Sequence, residues 1–426
     1  MSVELELERE NAMRRTNYLA IAFTLLLHGF VCLGQEQGED WPQWRGPNRD
    51  GIIWEANWPS SLDEGHLNLL WRVELEPGYP GPIISGDRVF VAETKNKETE
   101  IVRALDRHTG EELWRAEWPG AMSVIFIGKR NGDWIRATPA TDGRSVFVAG
   151  MREVLVCLDA ESGEERWRID FPEKYETDLP SFGGVCSPLL YGDHIYIQAG
   201  GGFCKVEKET GEVLWRILVN DAGRYDGAFS SPLVANLAGK TQIVVQTRRN
   251  LTGIDPESGE ILWAEAIPAS LGMNILTPTQ YGESVLTSAY GTGSYLFEVN
   301  REGESFALDT LWKTSQQGYM STPVIIDGHA YMHLRNRRFT CIDLASGEEK
   351  WTTNPYGEYW SLVASGDKIL ALDQRGELRL IRATPEEFAL LDSRTVSDEE
   401  TWGHIAVSGD LVFVRELRGI SAFEWK

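Results

Sequence analysis

Short β-branched and aromatic runs alternate along this chain with polar turns, and one turn recurs together with its flanks. It reads Asp106-Arg-His-Thr-Gly-Glu-Glu-Leu-Trp114, then Asp159-Ala-Glu-Ser-Gly-Glu-Glu-Arg-Trp167 and Glu207-Lys-Glu-Thr-Gly-Glu-Val-Leu-Trp215. It returns as Asp255-Pro-Glu-Ser-Gly-Glu-Ile-Leu-Trp263 and Asp343-Leu-Ala-Ser-Gly-Glu-Glu-Lys-Trp351. The pattern predicts a hairpin used repeatedly. Gly110, Gly163, Gly211, Gly259 and Gly347 supply a positive φ, while the acidic and hydroxyl oxygens satisfy turn amides. The Trp four positions on falls on the next strand, where its ring can pack against a neighbouring repeat. A small residue is usual two positions before the acid (Ala104, Cys157, Gly253, Cys341), which predicts a close approach by the neighbouring sheet.

A second signature counts the units independently. Each unit opens with a strand that starts near Pro and closes at Gly-Asp or a relative. The copies are Pro82-Ile-Ile-Ser-Gly-Asp87, Thr138-Pro-Ala-Thr-Asp-Gly143, Ser187-Pro-Leu-Leu-Tyr-Gly-Asp193 and Ser231-Pro-Leu-Val-Ala-Asn236. Next come Thr277-Pro-Thr-Gln-Tyr-Gly282, Thr322-Pro-Val-Ile-Ile-Asp-Gly328, Ser361-Leu-Val-Ala-Ser-Gly-Asp367 and His404-Ile-Ala-Val-Ser-Gly-Asp410. That makes eight. The Trp series agrees, with Trp71, Trp114, Trp167, Trp215, Trp263, Trp312 and Trp351 and an eighth slot degenerate near Thr384–Leu391. Successive units lie about 40–50 residues apart, the size of a four-stranded propeller blade. The last unit, ending Ala422-Phe-Glu424-Trp-Lys426, has three strands, and the strand carrying Trp71 has no preceding three. Joining them closes the ring and removes its edges. The fold class is therefore all-β: an eight-bladed β-propeller of four-stranded antiparallel blades over residues 67–426, the N-terminal strand completing the C-terminal blade.

The rest of the chain changes this picture at the N-terminus. Arg14-Arg15 precede an apolar run from Tyr18 to Leu27, which predicts a secretory signal peptide over 1–34, too short to span a bilayer comfortably. The acidic residues 1–12 fit such a signal poorly and point to Met13 as the start; a retained anchor is the alternative. Cys32 lacks a lipoprotein box around it. Residues 35–66 form an irregular lead-in, Trp41-Pro-Gln-Trp-Arg-Gly-Pro-Asn-Arg-Asp-Gly51, whose Trp41, Trp44 and Trp54 predict a segment docked on the body. The net charge of −23 excludes a general nucleic-acid binder. An extracytoplasmic (periplasmic or secreted) monomer is expected, with no membrane span after cleavage.

The intact unit Ala104 to Trp114 resembles the repeat of the pyrroloquinoline quinone (PQQ) quinoprotein propellers. The lead-in resembles that of secreted bacterial PQQ-like propellers. The resemblance implies either a quinoprotein dehydrogenase or a non-enzymatic envelope propeller, similar to the lipoprotein subunit of the outer-membrane β-barrel assembly machinery. Family alcohol dehydrogenases carry a vicinal Cys pair and a calcium held by Glu, Asn and Asp with a catalytic Asp nearby. Here Cys157, Cys186, Cys204 and Cys341 are not adjacent, and no such calcium set maps onto the chain. Repeats of this kind are folding signatures, and function is grafted on them.

Other candidate chemistry is sparse. His329 and His333 share a strand face about 13 Å apart, too far to share a metal. Gly291-Thr-Gly293 and Gly200-Gly-Gly202 are turn glycines with no helix behind them. Four free thiols are expected, since Cys186 and Cys204, the one same-blade pair, lie about 10 Å apart. The leading function is thus a non-catalytic binding or scaffold propeller of the cell envelope, with no catalytic residue, metal or cofactor expected. The alternatives are a PQQ-dependent dehydrogenase loaded with calcium and a sugar-processing enzyme using the funnel.

Strand order locates the expected binding face. In an up-and-down blade the first and third turns share one face, and the second turn shares the other with the start of the first strand. The first face reads acidic: Asp87, Asp193, Asp367, Asp410 and the pairs Glu111-Glu112, Glu164-Glu165 and Glu348-Glu349. The second reads basic: Arg152, Arg248, Arg249, Arg335, Arg337, Arg338, Arg375, Arg415 and Arg418. Arg136, Asn250, Tyr319, Trp360, Trp402 and His404 join it near the funnel mouth. Arginine pairs carboxylates bidentately, so the expected partner is an envelope protein, peptide or acidic glycan.

Overall fold

A computed structural model describes residues 40–53, 58–125, 128, 131–219 and 228–426. Residues 1–34, where a signal peptide is expected, with Met13 and Cys32, and Trp54 of the lead-in lie outside the described residues. The chain forms eight four-stranded antiparallel sheets. The first comprises Ile83–Ser85, Arg88–Lys95, Thr99–Asp106 and Glu112–Pro119, in sequence order. The same order repeats around the ring until the last sheet. There Leu67–Glu74 pairs antiparallel with Gly419–Trp425, setting Leu67 opposite Trp425 and Trp71 opposite Ala422. First strands of neighbouring blades touch one another and so line a central channel.

Why the unit has its composition is visible at the Trp. The ring of Trp71 lies against Gly110 of the next blade, Trp114 against Gly163, Trp167 against Gly211, Trp215 against Gly259 and Trp312 against Gly347. A Cβ on Gly163 would stand 2.5 Å from the Trp114 ring, and φ there is +75°. Glycine is required twice over. Five indole N–H groups complete the junction by donating to a carbonyl of the next blade: Arg107, Ala160, Lys208, Leu344 and Thr384. Trp215 makes no such bond, because the equivalent carbonyl, that of Pro256, accepts from the Tyr196 hydroxyl. The small residues before the acid answer to a different cause from the expected one. Ala104, Cys157, Gly253 and Cys341 stand directly opposite the Trp of their own sheet, immediately before a register shift. The indole occupies the space a larger side chain would need; at Gly253 a Cβ would sit 2.2 Å from it.

The lead-in occupies the channel. Trp41 bridges Ile84 of the first blade, and Thr141 donates to the Pro42 carbonyl in the second. Gln43 accepts from Leu190 in the third, and Ile52 bridges Ala364 in the seventh. Arg45 donates to the carbonyl of Pro323 at 2.7 Å and Arg49 to that of Pro188 at 2.8 Å. Both guanidiniums are fully sequestered, and burial lowers each pKa to about 10. Residues 58–66 then staple the seam between the seventh and eighth blades. Trp58 stacks on Trp425 at 5.0 Å, while the Ser61 hydroxyl and Leu62 amide donate to Asp392. Asp392 stands opposite Leu380 before that blade's register shift, so it fills the eighth Trp slot, one residue beyond the expected run. All four cysteines in 40–426 are buried and free.

Candidate functional site

The residue before the strand-opening Pro turns out to join the blades. Gly81 N–H donates to the Thr138 hydroxyl, Thr138 N–H to Ser187, Ser187 N–H to Ser231 and Ser231 N–H to Thr277, all at 3.0–3.2 Å. Ile405 N–H donates likewise to Ser361 at 2.8 Å. These hydroxyls form a girdle where the innermost strands begin. Above it lies a cavity of about 300 Å³. Its floor is Trp44 of the lead-in, which is met edge-on by His404 at 5.9 Å.

Among the described residues, eight of those lining it are Phe, Tyr or Trp, and one, Arg136, carries a fixed charge. The rings continue into an arc. Tyr290 meets Tyr319 at 5.5 Å, Tyr319 meets Tyr359 at 6.4 Å, Tyr359 meets Trp402 at 4.5 Å and Trp402 meets Tyr79 at 4.7 Å. A guanidinium closes each end. Arg335 lies 4.4 Å from the Tyr290 ring and donates to its hydroxyl, and Arg136 lies 6.0 Å from the Tyr79 ring.

The expected site residues therefore divide. Arg136, Tyr319, Trp360, Trp402 and His404 line the cavity; Arg248, Arg249, Asn250, Arg335 and Arg337 do not. Arg248 is buried, folded over the Phe229 ring at 5.1 Å with its guanidinium on the Leu271 carbonyl. Arg337 is paired with Glu358, and Arg338 donates to the Thr353 carbonyl. Arg415 is fully buried among the carbonyls of Glu76, Glu416 and Gly419. Arg152, Arg249, Arg335, Arg375 and Arg418 stay exposed. The face is thus less basic than the turns suggest, because Glu358 and Glu399 reach it from the segments between blades. Sequence reasoning missed Trp44, Tyr79, Tyr359 and the girdle. The Ser/Thr-Pro signature carries these hydroxyls in plain view, at the residue before the strand-opening Pro.

Histidines near the cavity are held neutral. His333 stacks on Trp360 at 5.0 Å, and burial lowers its pKa to about 4. His404 falls to about 3, through burial first and the Arg45 charge second. An unfolded imidazole takes its proton near 6.5, so the unfolded state binds protons the folded state refuses. Stability is full above about pH 6.5 and is lost as the pH falls towards about 4. For His333 the loss at pH 5 is about 2 kcal/mol. Buried Glu93 and Glu100, whose pKa values burial raises, act in the opposite sense below their raised values. We expect His333→Gln to shrink the fall in melting temperature between pH 7 and pH 5; an undiminished fall would refute the assignment.

The lining does not fit a quinone with calcium. Among the described residues it contains no carboxylate to hold the metal and a single guanidinium for the three carboxylates of PQQ. Among the described residues no group of three or more His, Cys, Asp and Glu is placed to hold a metal. Among them, too, no helix is long and apolar enough to cross a membrane.

The profile of the family described as outer membrane protein assembly factor BamB matches residues 98–353. BamB of Yersinia pestis is 24% identical over 275 residues, covering 60% of this chain and 66% of that protein. BamB of Moranella endobia is 24% identical over 310 residues, covering 68% and 75%. The serine/threonine-protein kinase AfsK of Streptomyces griseus is 29% identical over 154 residues, or 35% and 17%. The match thus spans 17% of AfsK and just under two thirds of the Yersinia protein. Among solved structures, BamB from Moraxella catarrhalis superposes with a TM-score of 0.61 at 12% identity, covering 84% of this chain and 98% of that one. Quinohemoprotein alcohol dehydrogenase from Comamonas testosteroni gives 0.62 at 12% identity, covering 91% and 80%. Such identities speak for the fold alone. With its profile matched over more than half its length, the chain belongs to the BamB family of PQQ-like propellers.

Proposed function

We propose that this propeller is a non-catalytic scaffold of the bacterial cell envelope, acting outside the cytoplasm in outer membrane protein assembly, with the aromatic recess as a docking place for an anionic partner. The observation that carries the reading is the chemistry of the recess. Its hydroxyl oxygens accept backbone N–H groups, its imidazole is neutral with Nδ1 against the Ile405 carbonyl, and among the described residues no carboxylate stands in the lining. A general base beside a free nucleophile is what catalysis would need there. The relatives named for outer membrane protein assembly support the envelope setting.

Immobilised full-length protein should capture β-barrel assembly components from a detergent-solubilised outer membrane, identified by mass spectrometry. Mixed with PQQ and calcium, it should give no saturable absorbance change and no alcohol-dependent dye reduction. Turnover in the second assay would replace the scaffold with the dehydrogenase.

A further inference from the structure

The recess is rich in donors. Nε of Arg136 and Nε1 of Trp402 are buried without an acceptor. Thr138, Ser187 and Thr277 use their oxygens to accept backbone amides, which leaves their hydrogens to donate. An unmet buried donor is costly, so such a lining favours a ligand made of acceptor oxygens. The arc adds a second demand, since its rings bring apolar surface to the recess, Tyr359 meeting Trp402 edge-on at 74° and the other neighbours tilted by 30–39°. A third comes from the guanidiniums at its two ends. The carboxylates that reach the arc are engaged already, Glu358 by Arg337 and Glu400 by the Tyr79 hydroxyl.

We propose that the arc binds an acidic glycan: a short run of pyranose rings stacked along Tyr319, Tyr359 and Trp402, with a ring carboxylate held by Arg136. A pyranose combines an apolar C–H face with a rim of oxygens, and a uronic acid adds the anion. A peptide fits less well, because its backbone brings an N–H for nearly every carbonyl and the lining offers few acceptors. The proposal rests on the recess being a docking place and does not depend on which assembly components the scaffold meets.

The test is intrinsic Trp fluorescence of the full chain titrated with trigalacturonate, its methyl ester and pentaglutamate at low salt. Trigalacturonate should quench saturably, and the methyl ester should bind about tenfold more weakly. Arg136→Gln should weaken the acid by a similar factor while leaving the ester unchanged, and Tyr319→Ala should weaken both. Should Arg136→Gln not fold, the exposed Arg335→Gln and the ester provide the same comparison. No saturable quenching by trigalacturonate, or equal binding of acid and ester, would overturn the proposal. Pentaglutamate binding as tightly, with the same dependence on Tyr319, would hand the arc to a peptide. Capture of outer-membrane components is measured separately, so losing the glycan leaves the scaffold reading standing.

Discussion

A chain truncated after Arg418 is expected to lose cooperative folding altogether. The truncation removes Gly419–Trp425, the third strand of the closing blade, hydrogen-bonded to Leu411–Glu416 on one side and to Leu67–Glu74 on the other. Ile420, Phe423 and Trp425 are buried, and each is worth about 1.5–3 kcal/mol on leaving water. Their sum rivals the 5–15 kcal/mol, roughly, by which whole domains are stable. The Trp58–Trp425 stack at the seam would go as well. Circular dichroism and scanning calorimetry decide the matter. A truncated chain with native ellipticity and an unchanged melting temperature would show that the ring does not need its clasp.

The Trp–Gly junctions should show the next largest effect. Gly366 and Gly163 both take a positive φ, but a Cβ at Gly366 would meet nothing within 4 Å. Gly366→Ala should therefore cost only the backbone strain, about 1 kcal/mol. Gly163→Ala adds a methyl inside the Trp114 ring and threatens the bond from its indole to the Ala160 carbonyl. We expect about 3 kcal/mol more, the order seen when a packed ring is displaced and its hydrogen bond lost. Equal midpoints in urea for the two variants would mean that the indole yields freely, and that these junctions do not hold the blades.

Blade number, closure and hairpins were legible because each rests on a local signal that repeats. The site was not. Trp44 and Tyr79 reach the cavity from the lead-in and from a connection between blades, which have no period to read. Arg248 and Arg415 looked free because turn arginines are usually solvated, whereas here the low-polarity ring interior draws them onto backbone carbonyls. Arg136, expected near the funnel mouth from its place just before an innermost strand, does line the cavity. Its isolation among aromatic rings depends on eight blades converging, and no stretch of sequence contains that convergence.

The lead-in that fills the channel has a kinetic consequence. Arg45 is near the start of the described residues, yet one of its two carbonyl partners lies 278 residues later, and Ile52 waits for Ala364. A chain emerging N-terminus first carries these residues long before their partners exist. The contacts that fix the hub and the rim are thus among the most distant in sequence, and such topologies fold slowly. Until the last strand arrives, the growing array is an open arc with unpaired edges at both ends, the state most prone to wrong partners. Premature closure into a smaller ring is disfavoured by the same device, because an array missing its late blades leaves Arg45 without the Pro323 carbonyl and Ile52 without Ala364. The hub thereby acts as a gauge of ring size, satisfied when every blade is in place.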